Sequence, residues 1–139
     1  MQPKTFKMLA RGLVLGLVIV VGLVSYDITI PKGRSRSKNW SFVLTHPTIL
    51  LHIIFGSLVL LGAIALLVRS VRSRVRPWIV ISAIGLAFVI FAFATGEQYV
   101  STLSNADLSD MGIGWFAGIA TYGVGWFLNR KATSSAGAS

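Results

Sequence analysis

The chain has 139 residues, 54% of them hydrophobic and only 12% charged, about half the charge of an ordinary soluble domain. It has no cysteine, which excludes disulfides, thiolate metal sites, iron–sulfur clusters and covalently attached c-type haem. The net charge of +9 gathers at the ends of apolar runs, where it suits phospholipid headgroups rather than nucleic acid.

Four stretches, 12–26, 48–68, 78–96 and 111–128, contain no Asp, Glu, Lys or Arg. About 20 helical residues at ~1.5 Å each cross the ~30 Å hydrocarbon core of a bilayer. Helices are therefore predicted over about 8–30, 47–68, 77–96 and 110–129. The fold class is an all-α integral membrane protein, with four transmembrane helices in an antiparallel up-down bundle. A single domain covers 1–131, and the small, polar segment 132–139 is expected to be a disordered tail.

Lys4 and Lys7 precede the apolar region 12–24 in the manner of a signal peptide. The following Val24-Ser25-Tyr26-Asp27 is a poor cleavage site, so a retained helix is expected. Next come Lys32, Arg34, Arg36 and Lys38, read as a solvated loop, with Trp40 and Phe42 at the interface. Pro47 and Pro77 mark helix starts, because a first-turn proline loses no helical hydrogen bond. The basic 69–76 segment is short enough to make the second and third helices a hairpin. Ser109 and Asp110 are expected to cap the fourth helix. Trp78 and Trp126 fall at one membrane interface and Tyr26 and Tyr99 at the other.

Nine basic residues lie in the N-terminal segment, the 69–76 loop and the C-terminal segment, against four on the opposite side. All four acids, Asp27, Glu97, Asp107 and Asp110, share the side with fewer cations. Cytoplasmic segments collect Lys and Arg, so both termini are expected in the cytoplasm, in a cytoplasmic (inner) membrane.

Small residues are spaced for close helix packing: Gly12 and Gly16 in the first helix, Gly85, Ala92 and Gly96 in the third, and Gly114, Gly118 and Gly125 in the fourth. Packing within the chain is the simpler reading, and homo-oligomerisation through a glycine face is the sharper one.

The chain has two histidines, His46 and His52. His52 is about one turn inside the second apolar run, and an ionisable group there is a functional candidate. Imidazole ligates haem iron, and Gly56, one turn further, leaves room for a flat porphyrin. His46 and His52 are six residues apart, about 240° around a helix, so one straight helix cannot place both on one iron. His46 folding back, Met111 as second axial ligand, or His52 from two subunits would complete the ligation. The competing reading makes His52 a neutral imidazole hydrogen-bonded to a neighbouring helix, and His46 a helix-start residue. A third reading places His46, His52 and Glu97 around copper, zinc or iron. No nucleophile motif or phosphate loop is present, and no Asp, Glu, Lys or Arg lies deep in an apolar run. Hydrolysis, channel activity and proton-coupled transport are thus disfavoured.

At His46-Pro47-x-x-x-x-His52-x-x-x-Gly56, followed by a basic loop, the chain resembles small four-helix membrane proteins of prokaryotes. It also resembles one half of haem A synthase and the b561-type cytochromes, in which helical histidines bind b-type haem. The resemblance covers the second to fourth helices and implies His52 as an axial ligand of haem b. The partner histidine of those families is missing from the other helices. The leading expectation is a small haem-binding or redox accessory protein that exchanges electrons with quinol or a respiratory partner. The alternative is a non-enzymatic structural or assembly subunit of a larger membrane complex. A green fluorescent protein fused to the C-terminus is expected to fluoresce, and a phosphatase fused there to stay inactive; the reverse pattern overturns the orientation.

Overall fold

A computed structural model describes residues 3–24 and 30–135. It contains five helices: α1 (Pro3–Val24), α2 (Arg36–Thr45), α3 (Pro47–Arg72), α4 (Arg76–Thr102) and α5 (Asn105–Ser135). No strand occurs among the described residues. Four of these helices, over Lys4–Leu23, Pro47–Arg72, Arg76–Thr102 and Asn105–Leu128, are long and apolar enough to cross a membrane. The chain is an all-α membrane bundle.

The boundaries differ from those expected, for local reasons. α1 begins at Pro3 and ends at Val24, and Ile30 is outside any helix. Tyr26 and Asp27 lie outside the described residues. The supposed loop holds α2, so the basic run enters a helix rather than a solvated coil. Pro47 and Pro77 do open α3 and α4. α4 continues past Gly96 to Thr102 and stops where Leu103 turns left-handed (φ 54°), its N–H donating to the Tyr99 carbonyl at 2.7 Å. α5 starts at Asn105, five residues early. Ser104 rather than Ser109 or Asp110 supplies the side-chain cap, its hydroxyl accepting from the Ala106 N–H at 3.2 Å. α5 also runs to Ser135, into the segment expected to be disordered.

α3 packs between α1 and α4, and α5 packs between α4 and α1. The interior holds Phe6, Leu17, Val20, Leu66, Val89 and Tyr122, all fully buried. Outward faces carry Leu58, Leu61, Phe116 and Phe127, each more than half exposed. Apolar surface on this scale is costly in water and is covered by lipid acyl chains in a bilayer. Trp78, in the first turn of α4, faces inward rather than towards lipid: it is 2% exposed and stacks on Phe6 with ring centroids 5.5 Å apart.

Apart from Gly12, the glycines of these faces pack within the chain. A Cβ on Gly114 would sit 2.9 Å from the Ala92 Cβ and 3.0 Å from its backbone nitrogen. Gly85 accommodates the Tyr122 ring, Gly125 takes Ile81, and Gly16 takes Val59. These absent side chains let the helices approach closely, which matters in lipid because dispersion contacts dominate helix association there. Gly114→Ala is expected to cost about 1–3 kcal/mol through overpacking. Gly12→Ala, where a Cβ meets nothing within 4 Å, is expected to be neutral. Thermal unfolding in detergent, followed by circular dichroism, separates the two.

Candidate functional site

The α2 end of the bundle contains a cavity of about 1030 Å³ lined from α2, α3, α4 and α5. Four of the residues singled out from sequence, His52, Gly56, Glu97 and Met111, line it. Trp40, Phe93 and Trp115 supply aromatic wall, and Lys32 and Asn105 add polar groups. Apolar walls with few polar groups are the common form of a small-molecule site.

His52 sits on the second turn of α3. Its Nδ1 lies 3.1 Å from the Val20 carbonyl oxygen of α1. A carbonyl only accepts, so Nδ1 carries the proton and Nε2 keeps the lone pair in a neutral ring. The Trp115 ring meets the imidazole edge-on, with centroids 6.2 Å apart, and Phe93 meets Trp115 in a tilted pair at 6.0 Å. Trp115 is 4% exposed, and its indole N–H has no partner among the described residues. A buried donor without an acceptor costs about 1–3 kcal/mol. Two residues that line the cavity thus carry one orphan buried donor and one imidazole lone pair.

The other expected residues are placed differently. Gly56 leaves no flat vacancy: a Cβ there would meet Phe93 Cζ at 3.3 Å and Trp115 at 3.7 Å, so aromatic side chains fill that space. Met111 is 8% exposed, with its sulfur packed against Gly96. His46 does not line the cavity. It joins α2 to α3 in extended conformation, with Nδ1 3.2 Å from the Phe42 carbonyl oxygen and its ring 3.8 Å from the Phe42 ring. Glu97 accepts from Arg36 at 3.2 Å. Among the described residues no three His, Asp or Glu side chains group to hold a metal, so the trio of His46, His52 and Glu97 is not assembled.

Sequence reasoning missed α2 and its attachments. Asn39 is 1% exposed and donates from Nδ2 to the Val100 carbonyl at 2.9 Å. Val43, one turn later, is fully buried against Ile30 and Val100. The signal was the four-residue spacing of Asn39 and Val43, hidden by the surrounding cations. Trp115 was legible as the neighbour of Met111 one turn away on the same helix.

Searches against protein-family models, curated proteins and solved structures each find no match. The class of the protein therefore rests on its own architecture: an all-α bundle with four membrane-length apolar helices and a cavity under a short crossing helix.

Asn39→Ala removes the hydrogen bond that holds α2 to the end of α4. A loss of about 1.4 kcal/mol, within the range for such a bond, corresponds to about a tenfold change in opening. The chain has no cysteine, so Val43→Cys reports opening cleanly. Its labelling by a water-soluble maleimide is expected to speed up about tenfold in the Asn39→Ala background; an unchanged rate removes Asn39 as the fastening.

Proposed function

We propose that this protein is a membrane ligand-binding protein, taking an apolar small molecule with a polar group into the cavity beneath α2. The observation that carries the reading is the cavity itself, about 1030 Å³, at the upper end of the range for small-molecule sites. His52, with an imidazole lone pair, and Trp115, with a buried unpaired donor, stand together in a wall whose other polar groups are few. Such a pair orients a ligand by hydrogen bonds, while the apolar walls supply most of the affinity. The nine cations of the α1 start, the 69–76 segment and the C-terminal segment favour the cytoplasmic side for that end. α2 and the cavity then face the outer side of a cytoplasmic membrane.

A second reading, haem binding, is favoured by one observation. The Nδ1–H to carbonyl bond of His52 is the arrangement by which ligating histidines fix their tautomer and present Nε2 to a metal. Met111 supplies a thioether on the same cavity, and His/Met donor sets suit low-spin haem. The Gly56 surface does not fit the flat clearance expected of it. Bound there, a haem would supply one-electron chemistry, and His52 would hold it.

One preparation tests both readings. The full chain, purified in mild detergent, is extracted and the extract analysed by mass spectrometry, with an absorption spectrum taken before and after dithionite. The expected result is one apolar small molecule per chain, lost when Ile53→Trp fills the cavity and reduced in His52→Ala. A Soret band with sharpened α and β bands on reduction, lost in His52→Ala, selects haem. A colourless chain that carries nothing and binds nothing overturns both readings and leaves the structural or assembly subunit.

A further inference from the structure

Two features of the cavity bear on the kind of molecule it takes, and this inference rests on the ligand-binding reading above. The first is where the wall leads. Met111 and Trp115 are interior, 8% and 4% exposed, whereas Ile90, on the same wall, is 52% exposed on the lipid-facing side of α4. The cavity surface is thus continuous with surface that acyl chains cover in a bilayer. A hydrocarbon chain can pass from the membrane into the site without crossing water, so its transfer costs no hydration of apolar surface.

The second feature is the charge at the rim. Glu97 and Lys32 both line the cavity. Glu97 is neutralised by Arg36 at 3.2 Å. Lys32 is exposed and makes no ion pair among the described residues. Among the described residues the rim therefore carries one uncompensated positive charge, at the end of the bundle where headgroups lie. A lysine at this depth keeps its ammonium at the interface while its methylenes follow the apolar wall.

We propose that the ligand is a single-chain membrane lipid with an anionic head: an acyl chain along Ile53, Ile90 and Phe93 towards Trp115, and a carboxylate or phosphate paired with Lys32. The chain provides most of the affinity, since each buried methylene adds a fixed increment. Lys32 provides the choice of head, because an anion there gains an ion pair that a neutral headgroup does not.

The test uses the full chain in phosphatidylcholine nanodiscs, with Trp115 as the reporter and Trp40→Phe, Trp78→Phe and Trp126→Phe removing the other indoles. The probes are dibrominated stearate and its neutral glycerol monoester. Bromine quenches indole only at short range, so quenching of the buried Trp115 registers entry. Stearate is expected to quench at about threefold lower concentration than the monoester, the size of effect one partly exposed ion pair gives. Lys32→Gln is expected to abolish that difference without changing the monoester curve, and Lys32→Arg to restore it. Native mass spectrometry of the unsubstituted chain with the same two probes gives the same ranking without relying on the indole variants. Equal binding of both probes, unaffected by Lys32→Gln, overturns the anionic head and leaves the ligand-binding reading standing. No binding of either probe overturns the acyl lipid. The ligand-binding reading fails only if the extracts described above are empty as well.

Discussion

The seam between α4 and α5 is the constraint from which the rest of this bundle follows. Gly114 lies on Ala92, Gly85 takes the Tyr122 ring, and Gly125 takes Ile81. In lipid, apolar side chains gain little by leaving one hydrocarbon surface for another, so helices associate where backbones can approach. The glycines decide which faces of the two helices meet. Met111, three residues before Gly114, is turned to the same seam and packs on Gly96. Trp115, one residue after Gly114, is rotated about 100° away and reaches the imidazole of His52 on α3.

The α2 end depends on a different kind of interaction. α2 has little apolar surface to bury, and its position rests on a few specific contacts: Asn39 to the Val100 carbonyl, Val43 into a small cluster with Ile30, and Arg36 to Glu97. The Arg36–Glu97 pair is exposed, with both side chains more than 60% accessible, and such pairs contribute little stability. Asn39 matters more, because its amide is buried and its second polar atom, Oδ1, has no partner among the described residues. A helix held this way opens more readily than one packed along its whole length. Opening of α2 and stability of the four long helices are therefore largely separate properties.

His52 links the two regions. Its bond to the Val20 carbonyl ties α3 to α1 within the membrane span, while its ring edge faces the cavity aromatics. The helical backbone of α1 is internally bonded, so the Val20 carbonyl accepts through its second lone pair. The same contact serves a structural histidine and a ligand-orienting one, which is why the sequence leaves the two readings level. The surrounding cavity gives the second reading its weight, and it is assembled from residues far apart in the chain.

The sequence alone determined the class of this protein. Apolar runs of membrane length, prolines at helix starts and cations at run ends are local signals, and backbone hydrogen bonding in lipid leaves helices as the way such runs cross. His52, Glu97 and Met111 were legible as candidates because polar or sulfur-bearing groups are few within the apolar runs and at their edges. What only the tertiary structure decided is which of them meet. His46 and His52 are six residues apart yet separate, because His46 bends the chain and turns its ring onto Phe42. Gly56 looked like clearance for a porphyrin, but what fills a glycine's space depends on the neighbouring helix, here Phe93 of α4. α2 was hidden because a short helix with scattered cations has no strong apolar period, and its place is set by Asn39 finding a carbonyl 61 residues away. Helix existence is set by the solvent and the local chain; the cavity is set by side chains meeting across helices, and a single sequence carries no local signal for that.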